Sequence, residues 1–539
     1  MLAFFIAILS FNLLGEGIRR LVEQGNPLLN KIVNRYTVIL LLLAVFGYNY
    51  VSANSGAIPF YRQHAEGFSG ENAMEHLMVM VDQRIQGRAL GSGNTDLAAY
   101  YIANQFENLG VQSAGQSSSY FQTRNHSFER IDSIPHFDIN DGASTPIFHQ
   151  DYAAYPGRNM SLGETETTIR ILALGERSSA IGFRTAYPEL FKADFSGEIL
   201  MVFSDREAWT LSSMPADGLI VVTDDPTDLQ RRYTFSGRSN TNFSFTGMES
   251  GGDIPTIWIT EEMADRILQG SEYSVESIRN MAKELSIEEV VQIPVQIGVQ
   301  MKVNGTVEER WPVKHVLGHI PGKSGMQGCQ DCLGKNLIVV MAQYDSPPVG
   351  PEGVYQHAND NASGVAVMLE AIRIMQETEY QPFKSFLFIA YSGEGLDGGE
   401  YVFDPDVNSF LQAKTGFSNF DIEAIVHLRG VGSGQGDRLE ISAGGSLRLA
   451  ELFEEAAQQM GVETVRKDEG IDMNLIYSTS NPFLQGGVEA PVVRIFWEGW
   501  EENSLMPTDT YQNIKVENLT DTGKTLSMAL MILGRETQY

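Results

Sequence analysis

Cysteine, histidine and positive charge are all scarce in this chain of 539 residues. Two cysteines exclude a disulfide-stapled scaffold, and nine histidines leave few imidazole ligands for any metal site. The 38 Lys and Arg face 68 Asp and Glu, so the formal net charge is −30. Because binding to phosphate needs Lys and Arg, a nucleic-acid partner is not expected. With 43% hydrophobic residues, the chain is too apolar to be disordered and long enough for several domains with their own cores.

Two apolar segments, residues 1–15 and 37–47, predict a membrane end. Each is shorter than the ~20 residues that span a bilayer, but flanking residues can extend both, so one or two transmembrane helices are possible. All basic residues of the N-terminal region lie between the two segments, which places residues 16–36 in the cytoplasm. Residues 1–55 carry a net charge of +2, which leaves −32 for the remainder. The large acidic part is therefore expected outside the cell membrane.

Residues 3–20, AFFIAILSFNLLGEGIRR, resemble the last transmembrane helix and tail of oligopeptide-type ABC transporter permeases. The resemblance implies a bacterial membrane protein in which a permease remnant is joined to an extracytoplasmic domain. An accessory role in a peptide transporter is accordingly one alternative function.

Strands and helices alternate in the last part of the chain, which predicts an α/β sheet covered on both faces. The predicted strands are 336–342, 385–391, 422–428 and 490–496, and the predicted helices are 362–377, 446–460 and 517–533. Functional sites of such sheets form at the carboxyl ends of the strands. Residues 111–160 are polar and show no clear period, whereas short strands are predicted between about 165 and 300.

The loops after these strands carry the informative motifs, AQYDSPP (342–348), HANDNASGV (357–365), YSGEGLDGG (391–399), HLRGVG (427–432) and ENSLMPTDT (502–510). Their order and spacing resemble the M28 family of zinc aminopeptidases and carboxypeptidases, over about residues 70–539. Residues 87–92, with the pattern GR…GS, resemble the N-terminal region of that family. The resemblance implies an M28-peptidase-like mixed sheet flanked by helices.

The strands FSGEILMVF and ADGLIVV resemble those of an inserted protease-associated (PA) domain. The expected organisation is a membrane segment at 1–55, the N-terminal part of the M28-like domain at 56–150, a β-rich PA-like insertion at 151–305 and the M28-like peptidase domain at 306–539.

The resemblance implies a site with two zinc ions bridged by an Asp, each also bound by a His and a carboxylate, with a Glu as general base. Asp360 matches the bridging Asp, Asp345 matches the Asp that orients the first His, and Glu394 matches the general base. The remaining ligand positions are replaced, by Gln343, Gly395, Arg429 and Leu505. No register shift restores the histidines, because none lies between 320 and 356 or after His427.

Of the expected zinc ligands, Asp360 is the secure one, so a catalytically degenerate peptidase is expected. The guanidinium of Arg429 is predicted to replace the metal by pairing with Asp360 or Glu394, since a buried carboxylate needs such a partner. In the alternative, Arg429 points to solvent and the site has decayed. A single-metal site rebuilt from His357 and His427 is a further alternative, and zinc is the cofactor expected if the protein is active.

The expected protein is therefore a membrane-anchored, M28-like pseudoenzyme that binds a peptide or protein partner. An active zinc aminopeptidase with an atypical site is the main alternative. Cys329 and Cys332 have the spacing of a redox or metal motif, and a local disulfide is the special role considered for them. Trp497 and Trp500 either line a remnant cleft or pack in the core. The segment GSGQG (432–436) is interpreted as a loop.

Overall fold

The computed structural model describes seventeen stretches of the chain: residues 57–82, 88–89, 92–154, 162–175, 182–204, 208, 211–212, 214–231, 235–238, 254–287, 289–323, 335–346, 353–393, 420–444, 446–467, 490–503 and 506–535. The chain divides into two units, Met1–His64 and Ala65–Tyr539. The described residues of the first unit belong to helix α1 (Ala57–Ala65). The second unit carries two β-sheets and the helices that pack on them.

The described strands fall into a ten-stranded and a seven-stranded sheet. In chain order they are β1 (Gln112–Ser113), β2 (Phe121–Ile131), β3 (His136–Ile139), β4 (Tyr152–Ala154), β5 (Gly163–Leu174), β6 (Phe195–Val202), β7 (Ala216–Val222), β8 (Phe235–Arg238), β9 (Thr256–Ile259), β10 (Val290–Val303), β11 (Gly305–Ile320), β12 (Asn336–Gln343), β13 (Ser385–Tyr391), β14 (Asp421–Leu428), β15 (Leu439–Gly444), β16 (Thr464–Arg466) and β17 (Val492–Trp497). The further α-helices are α2 (Gly70–Met80), α3 (Gly93–Asn108), α4 (Phe183–Ala186), α5 (Thr227–Arg231), α6 (Glu261–Leu268), α7 (Val275–Glu284), α8 (Ser363–Glu377), α9 (Leu447–Met460) and α10 (Val516–Arg535).

Four parallel strands form the centre of the ten-stranded sheet, in the order β17-β14-β12-β13. Ile338, Val339, Val340 and Met341 follow one another in β12 and are all fully buried. A strand that is buried on both faces needs such a continuous apolar run, because successive side chains point to opposite faces. The predicted strands and helices of this part of the chain are confirmed to within one or two residues at most ends.

Polar residues set the starts of the flanking helices. The hydroxyl of Ser69 accepts a hydrogen bond from the Asn72 N–H at the start of α2, and Ser446 accepts one from the Leu449 N–H at the start of α9. These caps satisfy backbone donors that a helix leaves free in its first turn. Gly461 ends α9 in the left-handed conformation with φ of 77°, which a residue without a Cβ adopts at little cost.

Residues 111–160, which show no clear period in the sequence, contain strands β1 to β4 among their described residues, and the long strands β10 and β11 near residue 300 were not predicted. β2 pairs with β11 in an antiparallel ribbon that extends the ten-stranded sheet, and β10 pairs with both β5 and β3 in the other sheet. β10 alternates apolar and polar residues from Val291 to Val303, which is the pattern of a half-buried strand, although no strand was predicted there. β2 and β11 show neither a strict alternation nor the apolar runs of the central strands.

The seven-stranded sheet has the order β3-β10-β5-β6-β7-β9-β4 and is covered on both faces. Helices α6 and α7 pack on one face, through residues such as Ile267 and Ile278. A second apolar cluster that includes Phe183 and Leu211 covers the other face. Residues 136–303 therefore contain a hydrophobic core separate from that of the ten-stranded sheet.

The sheets do not divide at the boundaries drawn from the sequence. β3 lies upstream of residue 151 but belongs to the seven-stranded sheet, whereas β8 lies within 151–305 but pairs with β2 in the ten-stranded sheet. Pairing between strands so far apart in the chain leaves no local sequence signal. The boundaries of the 151–305 insertion were therefore drawn where the composition of the sequence changes. The division into domains stays a prediction.

No helix in the part of the chain that the structure describes is long and apolar enough to cross a membrane. The two apolar segments, 1–15 and 37–47, lie outside the described residues, as do Cys329 and Cys332. The number of transmembrane helices stays a prediction, and the local disulfide stays one alternative for Cys329 and Cys332.

We expect Ile220→Ala, in the centre of the seven-stranded sheet, to lower the free energy of unfolding by about 2–5 kcal/mol, because it leaves a cavity in a fully buried core. Ile134→Ala is the matched control, since Ile134 is 54% exposed and its truncation should cost no more than about 0.5 kcal/mol. Urea unfolding followed by circular dichroism measures both. Equal effects of the two substitutions would contradict the described core.

Candidate functional site

The carboxyl ends of the central parallel strands meet at one edge of the ten-stranded sheet, and the motif residues lie there. Gln343 is the last residue of β12, Arg429 follows β14, and Ser392 and Gly393 follow β13. Asp360 lies in a wide helical turn, Ala358–Ala362, which leads directly into α8. The sheet therefore brings together residues that are up to 86 positions apart in the sequence.

The NDNASG segment holds the loop after β14 through one asparagine. The Asn359 side chain accepts a hydrogen bond from the Gly432 N–H at 2.8 Å and donates one to the Ser433 carbonyl at 2.9 Å. The Gly430 N–H donates to the Asp360 carbonyl at 3.2 Å. Gly364 allows this approach, because a Cβ there would lie 2.6 Å from the carbonyl oxygen of Leu428. The first residues of the segment GSGQG therefore form a loop that Asn359 of the NDNASG segment holds in place.

Arg429 and Asp360 form a buried ion pair, as predicted from the sequence. The Arg429 Nε donates a hydrogen bond to Asp360 Oδ1. The two residues are 7% and 1% exposed, so the pair is almost entirely shielded from water. The guanidinium also lies over the Trp500 ring, 5.3 Å from its centre. The interpretation in which Arg429 points to solvent is therefore wrong.

Trp497 and Trp500 are core residues rather than cleft residues, with 4% and 3% exposure. The Trp500 ring stacks on Phe496 at 5.1 Å between centres and 4° between planes. The indole N–H of Trp497 donates to the Gly436 carbonyl at 2.8 Å. Packing under the Arg429 guanidinium is the role that the structure gives to Trp500.

Asp345 is fully buried and accepts three hydrogen bonds. Its Oδ1 accepts from the Gln343 amide at 3.0 Å, and its Oδ2 accepts from the Ser392 hydroxyl at 2.9 Å and the Gly393 N–H at 2.8 Å. The carboxylate thus orients residue 343, as the resemblance implies, but the oriented group is an amide. It also fixes the backbone that leads into Glu394, which lies outside the described residues, as do Gly395 and Leu505.

Asp509 belongs to the site but was not singled out in the sequence. Its two oxygens accept the N–H groups of Asn359 and Asp360 at 2.7 and 2.9 Å, so it anchors the wide turn to the last loop. Burial and the nearby Asp360 charge raise the pKa of Asp509 to about 7. Asp509 lies in the motif ENSLMPTDT, which is one of the motifs that carry the family resemblance, but no role was assigned to it from the sequence.

Arg88 is the second residue that sequence reasoning missed. It is fully buried and donates to four backbone carbonyls, those of Met80, Tyr344, Gln356 and His357. Burial lowers the pKa of Arg88 to about 10. Arg88 lies in the GR…GS segment, which matched the family pattern without suggesting a role, and the structure shows that it ties this segment to the site.

His357 and His427 do not combine into a second site. The His357 Nδ1 lies 4.0 Å from Asp360 Oδ2, and His357 holds a left-handed backbone with φ of 43°. The His427 Nε2 is hydrogen-bonded to the Tyr391 hydroxyl at 3.0 Å. Burial lowers the pKa of His357 to about 4 and that of His427 well below 6.5, so both rings are neutral.

The described residues do not fit the zinc centre that the resemblance implies. No group of three or more His, Cys, Asp or Glu side chains in the described stretches could hold a metal ion. Asp360, at the bridging position, bonds a guanidinium whose fixed positive charge repels a cation. The first imidazole position holds the amide of Gln343, a much weaker zinc ligand.

Comparisons with known proteins agree with the fold. Residues 316–530 match the family model of Peptidase family M28. Aminopeptidase YwaD of Bacillus subtilis (strain 168) is 26% identical over 204 residues, which are 36% of this chain and 40% of that protein. The match thus spans two fifths of the length of this curated relative.

Solved structures of low sequence identity show the same fold. An aminopeptidase from Aneurinibacillus sp. strain AM-1 has a TM-score of 0.59 at 18% identity, over 89% of this chain and 97% of that one. BSAP, a zinc aminopeptidase from Bacillus subtilis, has a TM-score of 0.53 at 17% identity, over 88% and 97%. The Peptidase M28 precursor from Shewanella amazonensis SB2B has 0.55 at 15%, over 89% and 96%.

The fold resembles that of these solved aminopeptidases. Over residues 316–530 the sequence is similar to Peptidase family M28, so the chain resembles the M28 zinc aminopeptidases.

Acid should destabilise the protein between about pH 6.5 and 4. The pKa values of His319, His357 and His427 are lowered by burial, so the unfolded chain binds protons first as the pH falls through this window.

Three carboxyl groups act in the opposite direction, because burial raises the pKa values of Asp509, Glu440 and Asp521 and so favours their protonated form in the folded state. Burial also lowers the pKa values of His64 and His76, so five histidines oppose these three carboxyl groups. Urea unfolding at several pH values measures the net slope.

The variant His319→Gln should reduce this slope, because it removes one of the three neutral histidines. His136→Gln is the matched control, since His136 is an exposed strand residue. A stability that rises from pH 6.5 to pH 4.5 would contradict the assignment of three neutral buried histidines.

Proposed function

We propose that this chain is a membrane-anchored M28-family protein whose peptidase-like domain lies outside the cell membrane and does not hydrolyse peptides. The observation that carries the proposal is the Arg429–Asp360 ion pair, which occupies the carboxylate that would bridge two metal ions. The domain keeps the family fold and would serve to bind a peptide or protein partner.

The proposed loss of hydrolysis follows from the chemistry that two bound metal ions would supply. In two-metal hydrolases the ions lower the pKa of a bound water and polarise the scissile carbonyl. A guanidinium can stabilise negative charge, but it cannot hold hydroxide at neutral pH. A general base at Glu394 would therefore have no activated water to deprotonate.

An active aminopeptidase with an atypical site is the second candidate. It is favoured by the relatives, which are named as aminopeptidases and, in one case, as a zinc aminopeptidase. Zinc would then be the cofactor, and at least one ligand would have to come from residues outside the described stretches, such as Glu394.

Hydrolysis of leucine p-nitroanilide by the full-length chain, with added zinc or cobalt, separates the two candidates. We expect turnover at the background rate and no difference between the wild type and Glu394→Gln. The Bacillus subtilis aminopeptidase, assayed in the same buffer, is the positive control. Metal-stimulated turnover that Glu394→Gln abolishes would contradict the proposal and support the active enzyme.

Two structural parts of the proposal rest on sequence. The seven-stranded sheet would be a PA-like module, an interpretation favoured by its separate core and its position between the parts of the peptidase-like sheet. The apolar segments before residue 55 would anchor the chain, with residues 16–36 in the cytoplasm.

Cysteine labelling tests this topology. In intact bacterial cells, after mild reduction, a membrane-impermeant maleimide should label Cys329 and Cys332, which are expected outside. In the background Cys329→Ser, Cys332→Ser, the variant Gln24→Cys should react after permeabilisation but not before it. The reverse pattern would contradict the topology, and co-purification with transporter subunits would support the accessory role instead.

A further inference from the structure

Five Asp and Arg side chains lie buried together at the strand ends. The carboxylates are Asp345, Asp360 and Asp509, and the cations are Arg88 and Arg429; none is more than 7% exposed. An ionised group in such surroundings costs several kcal/mol unless hydrogen bonds or an opposite charge compensate it. How each one is compensated shows which interaction the site depends on.

Hydrogen bonds from neutral groups contribute to the compensation of three of the five, and the charge of Arg88 also attracts those of Asp345 and Asp509. Asp345 accepts from an amide, a hydroxyl and a backbone N–H, and Asp509 accepts from two backbone N–H groups. The Arg88 guanidinium donates to backbone carbonyls, which are neutral dipoles. Direct contact between opposite charges is found between Arg429 and Asp360.

We propose that the Arg429 guanidinium takes over the structural part of a metal centre, by neutralising Asp360 and joining the loop after β14 to the NDNASG turn, so that the fold needs no metal. This inference rests on the proposed function in one respect, that the site binds no zinc. It assigns to Arg429 a role in stability that is separate from the loss of catalysis.

The charge balance of the site supports this role. The ligand set implied by the resemblance has three carboxylates, which face two divalent ions and the bound hydroxide. In this chain two of the carboxylate positions hold Gly395 and Arg429, and the histidine positions hold neutral residues as well. At the ligand positions of this chain, one carboxylate therefore faces one guanidinium. The charges at these positions sum to about zero both here and in the two-metal site that the resemblance implies.

The surroundings of Arg429 suit an arginine in particular. Its guanidinium lies over the Trp500 ring, which stacks in turn on Phe496. A planar guanidinium can bond the carboxylate and stack at the same time, whereas a lysine ammonium is a compact and strongly hydrated charge. Gly430, with φ of 60°, lies against the same ring, and a Cβ there would come within 2.5 Å of it.

A thermal double-mutant cycle on the full-length chain in detergent tests the inference. Arg429→Met and Asp360→Asn should each lower Tm by about 5 °C or more, since each leaves a buried partner uncompensated. The double variant should lose clearly less than the sum, because no unpaired charge remains. Arg438→Met is the matched control: it breaks an exposed arginine pair with Glu498, and Tm should fall by about 1 °C or less.

If Arg429→Met does not fold, Arg429→Lys provides the test in its place. It should fold with a Tm between those of the wild type and Asp360→Asn, because it keeps the charge and loses the stacking. Excess zinc or a chelator should leave the wild-type Tm unchanged. Additive single effects, or a wild type that a chelator destabilises, would overturn the inference.

The failure of this inference and the failure of the proposed function give different results. If the protein is inactive but the effects of Arg429→Met and Asp360→Asn on Tm are additive, the proposed function stands and the structural role of Arg429 is wrong. A wild type that turns over a peptide substrate and loses Tm with a chelator would overturn both.

Discussion

The structure of the strand-end site depends on one constraint, that a buried carboxylate must be compensated. Asp360 lies at the start of α8, below the loops of the parallel strands, and is 1% exposed. In this chain its compensation is Arg429, which the end of β14 places on the carboxylate. The guanidinium occupies Asp360 Oδ1, and the proposed loss of metal chemistry rests on this ion pair.

The residues around the ion pair also hold the loops of the site in place. Asn359 holds the loop after β14, Asp509 holds the turn that carries Asp360, and Asp345 holds the segment after β13. None of these hydrogen bonds requires a metal. A framework of this kind can hold the strand-end loops in place independently of metal ligands.

The sequence predicted the parts of the molecule with strong local signals. The central strands, the helices after them and the Arg429–Asp360 contact follow from apolar runs and motif spacing. The long strands β2 and β11 were missed, because their apolar and polar residues follow no strict alternation. β10 was missed although it alternates apolar and polar residues from Val291 to Val303, the pattern of a half-buried strand. Arg88 and Asp509 lie in motifs that the sequence displayed, GR…GS and ENSLMPTDT, but their roles were missed because the motifs do not show which distant backbone groups these side chains bond.

The central claim is that Arg429 stands in place of the metal ion. The most direct test is the metal content of the full-length protein, measured by plasma mass spectrometry after incubation with excess zinc and gel filtration. A content far below one zinc per chain is predicted. One or two tightly bound zinc ions per chain would contradict the account.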